Sequence, residues 1–412
     1  MGPPGLEARI HDEIQRRGPI PFADFMRAAL YDPDGGYYAS GVNRVGADGD
    51  FYTAPAAHPA FGAMLALQLE QMWELLERPQ PMSIVEGGGG KGLLAVDILA
   101  YAESLDPEFL AAVDYRIIET GRNGRVTGPG SDDGISIEWS DSPDRPPAGT
   151  AVFLSNELFD AYPRHRVVNQ GGRMYELLVD RGVDGFVETL GPLSTPELEA
   201  YFEHVGVSLP DSCQADIDLE GPRFLADVSA GIDRGFTITI DYGSPAETLF
   251  TTARRRGTLR CYHRHISSTN PYIRIGNQDI TAHVDFTALA QGGASQGMTT
   301  EGLLTQQRYL KKLGIQTLVD GLRGVVGLER AEIMANRMPM LELTAPTGFG
   351  GFGVLIQSKG AGAPFGEDRV VVSKVRRDGS DLRIPLLTEA HTPVFAGKYP
   401  QYGDFPGLSE IR

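Results

Sequence analysis

Apolar residues recur at every third or fourth position in three stretches near the start of the chain. This period places them on one face of an α-helix, which has 3.6 residues per turn. Gly18-Pro19-Ile20-Pro21 and Asp32-Pro33 separate the stretches, because proline and glycine end helices. The predicted helices span residues 6–17, 22–30 and 59–76. Residues 1–60 are therefore predicted to form an N-terminal helical segment.

From residue 83 onward, short runs rich in Val and Ile alternate with helical stretches. Such runs are typical of buried strands, and their alternation with helices indicates a parallel sheet covered on both faces. The predicted strands are 83–86, 115–119, 135–139, 151–155 and 236–241, and a helix at 93–101 follows the first of them. We expect an α/β fold with a doubly wound, Rossmann-like sheet.

About 70 residues lie between the fourth and fifth predicted strands. Within them, Arg166–Val168 and Met174–Val179 are predicted to pair as strands, and Pro196–His204 to form a helix. We expect this stretch to be an inserted subdomain. The predicted division after the N-terminal segment is 61–165 for the first part of the core, 166–235 for the insert, 236–360 for the second part with a substrate lid, and 361–412 for a C-terminal extension.

The end of the chain carries weaker patterns. Residues 303–313 have the spacing of a helix. Two apolar runs, Met340–Thr344 and Gly353–Gln357, flank a Gly-rich stretch and are predicted to close the sheet as an antiparallel hairpin. In the extension, Arg369–Ser373 resembles a strand.

Composition narrows the possible partners. The 412-residue chain has a net charge of -17, which argues against a nucleic-acid phosphate surface. No apolar run reaches the ~18 residues of a membrane span, and the first residues lack signal-peptide features. Only Cys213 and Cys261 are present, which fits a reducing cytoplasm without a thiolate metal site. We expect a cytoplasmic protein with no metal, membrane or nucleic-acid partner, and the oligomeric state stays open between monomer and homodimer.

A glycine turn, Glu86–Gly92, follows the first predicted strand and reads E-G-G-G-G-K-G. Glycines allow close approach of a ligand to the backbone, and the start of the next helix offers free N–H groups. Open α/β sheets bind nucleotides at this place. One register of the turn fits G-x-G-x-x-G of dinucleotide sites, and another fits E-x-G-x-G-x-G of S-adenosylmethionine sites. The turn alone therefore leaves the cofactor open, although it excludes a P-loop because Lys91 is not followed by Ser or Thr.

Three acidic residues follow other predicted strands. Glu119 ends the second strand, where an acid can accept hydrogen bonds from both hydroxyls of a ribose. Glu157 and Asp160 follow the fourth strand and would share a face if the segment turned helically. Two carboxylates can bind a guanidinium by accepting hydrogen bonds from its coplanar N–H groups. They can also orient one nitrogen and accept its proton during methyl transfer.

Taken together, the motifs resemble the MidA-like methyltransferases, whose mitochondrial member is a complex I assembly factor that methylates a protein arginine. The resemblance runs from about Gly18 to Gly360. It is carried by Gly18–Phe22, Ala29–Pro33, Gly36–Tyr38, Gly49–Pro55, the glycine turn, Asn156–Ala161, Asp241–Gly243, Gly257–Arg260 and Gln278–Phe286.

The resemblance implies S-adenosylmethionine as cofactor and assigns candidate residues. The implied cofactor contacts are Thr53, Gly88, Gly90, Glu119 and Asn156, with Glu86 near the methionine end. For the acceptor it implies Glu157 and Asp160 as the groups that hold a guanidinium. His283 and Asp285 are further candidates for proton transfer or orientation.

Several positions depart from the family pattern. Gly89 and Lys91 stand where Pro and Arg are usual, and Ala56 replaces the usual Glu after the cofactor loop. Some bacterial relatives resemble this chain and methylate free L-arginine in natural-product pathways, including nitrosourea biosynthesis. A free amino acid needs an arginine for its carboxylate, and Arg260, Arg264 and Arg274 are candidates.

We expect an arginine guanidino N-methyltransferase that acts on free L-arginine, with a protein arginine as the alternative acceptor. Three other hypotheses stay open at this point. They are a methyltransferase with a different small-molecule acceptor, a non-catalytic cofactor-binding assembly factor, and an NAD-dependent oxidoreductase.

Overall fold

The computed structural model describes residues 5–40, 45–46, 49–120, 137–141, 147–360, 362, 364–375, 379 and 381–392. The α-helices are α1 (Leu6–Arg17), α2 (Phe22–Tyr31), α3 (Ala54–Ala57), α4 (Ala60–Leu75), α5 (Leu93–Ala102), α6 (Pro107–Ala112), α7 (Glu197–His204), α8 (Gly221–Gly231), α9 (Ala246–Leu249), α10 (Phe286–Ala294), α11 (Gln306–Leu313), α12 (Ile315–Gly321), α13 (Arg330–Glu342) and α14 (Glu367–Val370). The strands are β1 (Ile20–Pro21), β2 (Met82–Gly87), β3 (Val113–Ile118), β4 (Ile137–Ser140), β5 (Gly149–Asn156), β6 (His165–Gln170), β7 (Arg173–Gly182), β8 (Gly185–Gly191), β9 (Gln214–Ile217), β10 (Ile232–Asp241), β11 (Gly243–Ser244), β12 (Arg260–His263), β13 (Ile266–Ser268), β14 (Asp279–Thr281), β15 (Val284–Asp285), β16 (Thr299–Thr305) and β17 (Gly353–Lys359).

The chain forms two compact units, each assembled from three stretches. Unit 1 comprises Met1–Val42, Glu157–Ala226 and Asp241–Ser295, and unit 2 comprises Asn43–Asn156, Asp227–Ile240 and Gln296–Arg412. Most of the predicted insert, 166–235, falls in the middle stretch of unit 1. The five-part division of the sequence stays a prediction.

Unit 2 is built on a seven-stranded sheet in the order β16-β17-β10-β5-β2-β3-β4. Strands β10, β5, β2, β3 and β4 run parallel, while β16 and β17 are antiparallel. The inner strands β2, β5 and β10 are almost entirely buried, as expected for strands covered on both faces. The predicted α/β fold class is confirmed. Of the predicted third strand, only residues from Ile137 onward lie within the described part of the chain.

Helix α4 lies at the centre of the unit 2 core. The sequence predicts an amphipathic helix here, yet nearly every residue of α4 is buried, including Gln68 and Gln71. Their amides donate to the carbonyl oxygens of Val370 and Arg369, each at 2.8 Å. The C-terminal extension therefore covers the polar side of α4, and the predicted strand at 369–373 is wrong because its start belongs to the short helix α14.

The predicted hairpin at the end of the sheet is also wrong. Residues 340–342 end helix α13, and the antiparallel partner of β17 is β16. Met340 and Leu343 are both buried at a spacing of three, which suits a helix. A short apolar run does not by itself distinguish a strand from a helix. The helix predicted from residue 303 begins at Gln306, after strand β16 has ended at Thr305.

Unit 1 contains a five-stranded sheet in the order β1-β7-β6-β9, with β8 also paired to β7. The predicted pairing of the two inserted strands is confirmed, since Val167 lies opposite Glu176 in an antiparallel ladder. Helices α1, α2 and α7 confirm three predicted helices. Unit 1 also contains a three-stranded sheet, β13-β12-β14, and the parallel pair β11-β15.

In the part of the chain that the structure describes, no helix is both long enough and apolar enough to cross a membrane.

Candidate active site

The glycine turn connects β2 to α5 in unit 2. Gly88, Gly90 and Gly92 all have positive φ angles, of 70°, 56° and 84°. A Cβ atom on Gly92 would lie 2.8 Å from the indole of Trp139, and one on Gly89 would lie 2.6 Å from Ile117. At Gly90, by contrast, no heavy atom lies within 4 Å of that position. The turn is therefore tightly packed on its inner side and opens to free space at Gly90.

Two acidic side chains adjoin this turn. Glu119 follows β3, and its Oε2 accepts a hydrogen bond from the N–H of Gly90 at 2.8 Å. Glu86 is buried near the end of β2 and accepts a hydrogen bond from the Tyr115 hydroxyl at 2.8 Å. Burial raises the pKa of Glu86 to about 7, the Tyr115 hydrogen bond opposes this rise, and the charge of Glu119 adds to it.

The two other predicted cofactor residues lie in unit 2 as well. Thr53 is the N-cap of α3, and its Oγ1 accepts from the N–H of Ala56 at 3.4 Å. The motif Gly49–Pro55 leads into this helix, which begins at Ala54. Helix α3 packs against α5, the helix that follows the glycine turn. Asn156 is half-buried and ends β5, the neighbour of β2 in the sheet.

The predicted acceptor residues belong to unit 1. Strands β5 and β10 run parallel, and Asn156 pairs with Ile240 in their last register position. Glu157 follows Asn156 and Asp241 follows Ile240 along the chain, and the charge of Glu157 acts on the Asp241 carboxyl group. Glu157 has a left-handed φ of 51°, which is uncommon and costly for a residue other than glycine. The chain thus turns at Glu157, so the expected helical spacing of this residue from Asp160 does not form.

Asp241 holds the turn that carries Asp160. Its carboxylate accepts from the N–H groups of Phe159 at 2.9 Å and Asp160 at 3.3 Å. Burial raises the pKa of Asp241 well above its usual value, and the charges of Asp160 and Glu157 raise it further. Several carboxylates therefore share one buried region.

Asp160 itself is buried and accepts a hydrogen bond from the hydroxyl of Tyr242. Burial raises the pKa of Asp160, while the Tyr242 hydrogen bond and the positive charge of Arg164 oppose this rise. The carboxyl group is thus oriented by a tyrosine and has few solvent contacts. A side chain in this setting can bind a cation or accept a proton.

A second buried acid, Asp279, lies in the same part of unit 1. It accepts a hydrogen bond from the Tyr38 hydroxyl at 2.9 Å. Burial raises the pKa of Tyr38 well above its usual value, and the charges of Asp279, Tyr31 and Asp160 contribute. On its other side Tyr38 stacks on Tyr31, with ring centroids 5.5 Å apart. Aromatic faces and carboxylates are the two groups that attract a guanidinium.

The structure gives His283 and Asp285 different surroundings. The ring of His283 packs edge-on against Tyr242 at 5.8 Å, and its Nδ1 accepts from Arg254 at 3.1 Å. Burial lowers the pKa of His283 to about 4, and the charges of Arg254 and Arg260 lower it further. His283 is therefore neutral at neutral pH. Asp285 is the N-cap of α10 and also accepts from the Tyr201 hydroxyl at 2.8 Å.

Comparison with known proteins identifies the family. A family model for S-adenosyl-L-methionine-dependent methyltransferases matches residues 64–304. The chain belongs to this family. The methyltransferase therefore uses S-adenosylmethionine, and the ambiguity of the glycine turn is resolved against NAD.

Two curated relatives are named as protein arginine methyltransferases. It is 26% identical over 374 residues to the mitochondrial protein arginine methyltransferase NDUFAF7 homolog of Drosophila melanogaster, covering 83% of this chain and 82% of that protein. It is also 26% identical over 384 residues to the human mitochondrial NDUFAF7, covering 86% and 80%. A crystal structure from Burkholderia thailandensis, bound to S-adenosyl-homocysteine, superimposes with a TM-score of 0.76 at 28% identity over 88% of this chain and 94% of that one.

The residues of unit 2 fit this cofactor. Gly90 is open to space, and the Glu119 carboxylate, which can accept from ribose hydroxyls, is anchored to the backbone of the same turn. Glu86 supplies a buried acid next to it, suited to the positive charges of the methionine end. Among the described residues, no group of three or more His, Cys, Asp and Glu side chains is placed to hold a metal ion.

Four residues of the unit 1 cluster have no individual role in the sequence-based assignment, although all four lie in motifs that carry the family resemblance. They are Tyr38, Asp241, Tyr242 and Asp279. A signal for one of them exists in the sequence, because Asp241 ends a predicted strand in the way that Glu86 and Glu119 do. Tyr38 begins a short 3-10 helix, Tyr242 lies between β10 and β11, and Asp279 begins β14, so the fold of unit 1 is what brings these three residues near Asp160.

Proposed function

We propose that the methyltransferase transfers a methyl group to a guanidino nitrogen of arginine, with free L-arginine as the favoured acceptor. The observation that carries this proposal is the buried group of carboxylates in unit 1. Asp160 and Asp241 are both buried, and the charge of Glu157 acts on Asp241. Buried carboxylates with raised pKa values are stabilised when a cation binds beside them. A guanidinium meets this need because its donors pair with carboxylates in a planar, two-pronged geometry.

S-adenosylmethionine, when bound, supplies a methyl group on a positively charged sulfur. A guanidinium is also positive, so the acceptor residues must offset the repulsion between two cations. During transfer the bond from carbon to nitrogen forms, the bond from carbon to sulfur breaks, and one N–H proton leaves. Asp160 is the residue we assign to receive that proton, because its raised pKa makes it a stronger base than an exposed aspartate.

Other residues fix the position of Asp160. The Tyr242 hydroxyl donates to its Oδ2, and Asp241 holds the backbone of its turn. Neutral His283 packs on the Tyr242 ring and serves as a positioning residue in this scheme. Asp285 is assigned a structural role and no contact with the acceptor, because its two carboxylate oxygens already accept hydrogen bonds. One accepts from the backbone at the start of α10, and the other accepts from the Tyr201 hydroxyl.

Cofactor and acceptor residues are directly connected along the chain. Asn156 is followed by Glu157, and Ile240 is followed by Asp241. The ends of two neighbouring parallel strands are where ligands bind in open α/β sheets. This position supports Asn156 as a member of the proposed cofactor set, whose other members are Thr53, Glu86, Gly88, Gly90 and Glu119.

A protein arginine is the second candidate acceptor. The names of the relatives favour it, since they are protein arginine methyltransferases. Those relatives are mitochondrial. We propose a cytoplasmic location for this chain because its cysteine content, two residues far apart in sequence, fits a reducing compartment. With free L-arginine as the acceptor, we propose a role in natural-product biosynthesis, as the resemblance to bacterial relatives that methylate free arginine implies.

Incubation with S-adenosylmethionine and either L-arginine or an arginine-containing peptide, followed by mass spectrometry, tests the proposal. We expect L-arginine to gain one methyl group and Asp160→Asn to lose most of the rate. Asp184→Asn, an exposed aspartate in the β7-β8 turn, is the matched control and should keep it. The proposal would be contradicted if the protein bound the cofactor but methylated neither L-arginine nor the peptide.

A further inference from the structure

Residues 248–278 of unit 1 carry a local excess of positive charge. This arginine-rich segment contains no Asp or Glu, although the chain as a whole has a net charge of -17. Its six arginines are Arg254, Arg255, Arg256, Arg260, Arg264 and Arg274. A local positive potential of this kind attracts an anionic group. The segment runs directly into Asp279, one of the buried acids of the acceptor cluster.

Arg260 of this segment and Asp279 lie on the same face of the small sheet formed by β12 and β14. Strands β12 and β14 are antiparallel, with Arg260 opposite Thr281 and Tyr262 opposite Asp279. Side chains alternate along a strand and match across a pair, so these four residues share one face. Arg260 and Tyr262 are two residues apart, or ~6.8 Å along the strand. That separation is close to the length of an extended arginine side chain.

Polar groups on this face still have capacity for a ligand. The exposed Arg260 donates to the neighbouring carbonyl oxygen of Leu259 at 2.7 Å, and no carboxylate of the described residues pairs with it. The hydroxyl of Thr281 is buried and has no hydrogen-bond partner in the described part of the chain. Arg254 donates to His283 at 3.1 Å and likewise has no described carboxylate partner.

The acid end of the face adjoins the proposed guanidinium site. The pKa of Tyr262 is raised by burial, lowered by the charge of Arg260, and raised by the charges of Asp160 and Asp279. A single tyrosine therefore lies within the electrostatic reach of the cation and of both acids. A ligand that spans this face would meet positive charge at one end and negative charge at the other.

We propose that Arg260, with Arg254 as a second cation, binds the α-carboxylate of a free amino acid whose guanidinium is held by Asp160 and Asp279. The inference rests on the proposed function and extends it. It assigns the group that recognises the carboxylate, which an arginine within a peptide chain does not have. A two-pronged pair between guanidinium and carboxylate is the usual geometry for such recognition.

Calorimetric titration of protein saturated with S-adenosyl-homocysteine tests this assignment without requiring turnover. The two probes are L-arginine and agmatine, which is the same molecule without the carboxylate. We expect L-arginine to bind at least ~10-fold more tightly than agmatine, as for a charge-assisted pair. Arg260→Gln should abolish this preference by weakening L-arginine alone. Arg255→Gln removes a charge from an exposed neighbour and should leave both affinities unchanged.

Two results would overturn the inference. One is equal affinity of the wild-type protein for L-arginine and agmatine, or no binding of L-arginine at all. The other is an equal loss of both affinities in Arg260→Gln. Selective binding of L-arginine without any methyl transfer would instead support the carboxylate site and contradict the proposed function, so the two failures are distinguishable.

Discussion

Glu86 makes the stability of the cofactor-free protein depend on pH. Its side chain is 3% exposed, and burial raises its pKa from 4.5 to about 7. The charged carboxylate is therefore disfavoured in the folded state. Its cost is absent below pH 4.5, grows as the pH rises, and is fully present above about pH 7. At ~1.36 kcal/mol per pH unit, the difference corresponds to about 3 kcal/mol.

Glu86→Gln removes the charge and keeps an oxygen that can accept from Tyr115. We expect its free energy of unfolding to match that of the wild type at pH 4 and to exceed it by about 3 kcal/mol at pH 8. Urea unfolding of both proteins at the two pH values, without cofactor, measures the difference. Glu103→Gln, at an exposed site in the same unit, should show no such pH-dependent gain. A Glu86→Gln effect of the same size at both pH values would show that the charge of Glu86 is not what destabilises the folded protein.

Three further substitutions test the remaining assignments. Gly92→Ala places a methyl group 2.8 Å from Trp139 at a φ of 84°, and it should weaken S-adenosylmethionine binding at least ~10-fold in a calorimetric titration. Tyr242→Phe removes the hydrogen bond to Asp160 and should lower kcat by roughly 10-fold to 100-fold while the cofactor affinity stays unchanged. Asp285→Ala removes the N-cap of α10 and should lower the free energy of unfolding by about 1 kcal/mol.

Each of these substitutions has a matched control. Gly324→Ala adds a methyl group where no heavy atom lies within 4 Å, so cofactor binding should be unaffected. Tyr175→Phe removes a hydroxyl from β7 and should leave kcat at the wild-type value. Asp285→Asn keeps a capping oxygen and should retain most of the stability. Weakened cofactor binding in Tyr242→Phe would argue that the residue acts on the fold and not on Asp160.

Local patterns in the sequence are enough to nominate the candidate cofactor residues. The glycine turn, Glu86 and Glu119 each lie at the end of a short buried strand, and a strand followed by a helix can be recognised from ten to twenty consecutive residues. The same patterns leave the choice of nucleotide open, because the glycines satisfy two fingerprints. The match to the methyltransferase family decided that question.

The acceptor half depends on contacts between distant parts of the chain. Tyr38, Tyr242 and Asp279 approach Asp160 only through the fold of unit 1, and no spacing in the sequence predicts this. The left-handed turn at Glu157 also escapes prediction, since the residue type gives no signal for it. Similarly, the apolar run Met340–Thr344 is too short for its pattern to distinguish a strand from a helix, and its first three residues belong to helix α13.

Guanidino methylation is tested most directly by mass spectrometry of L-arginine after incubation with the purified protein and S-adenosylmethionine carrying a deuterated methyl group. We expect the label on a guanidino nitrogen of arginine, and we expect Asp160→Asn, still able to bind the cofactor, to transfer little of it. A protein that binds S-adenosylmethionine but labels neither L-arginine nor an arginine peptide would not be an arginine methyltransferase.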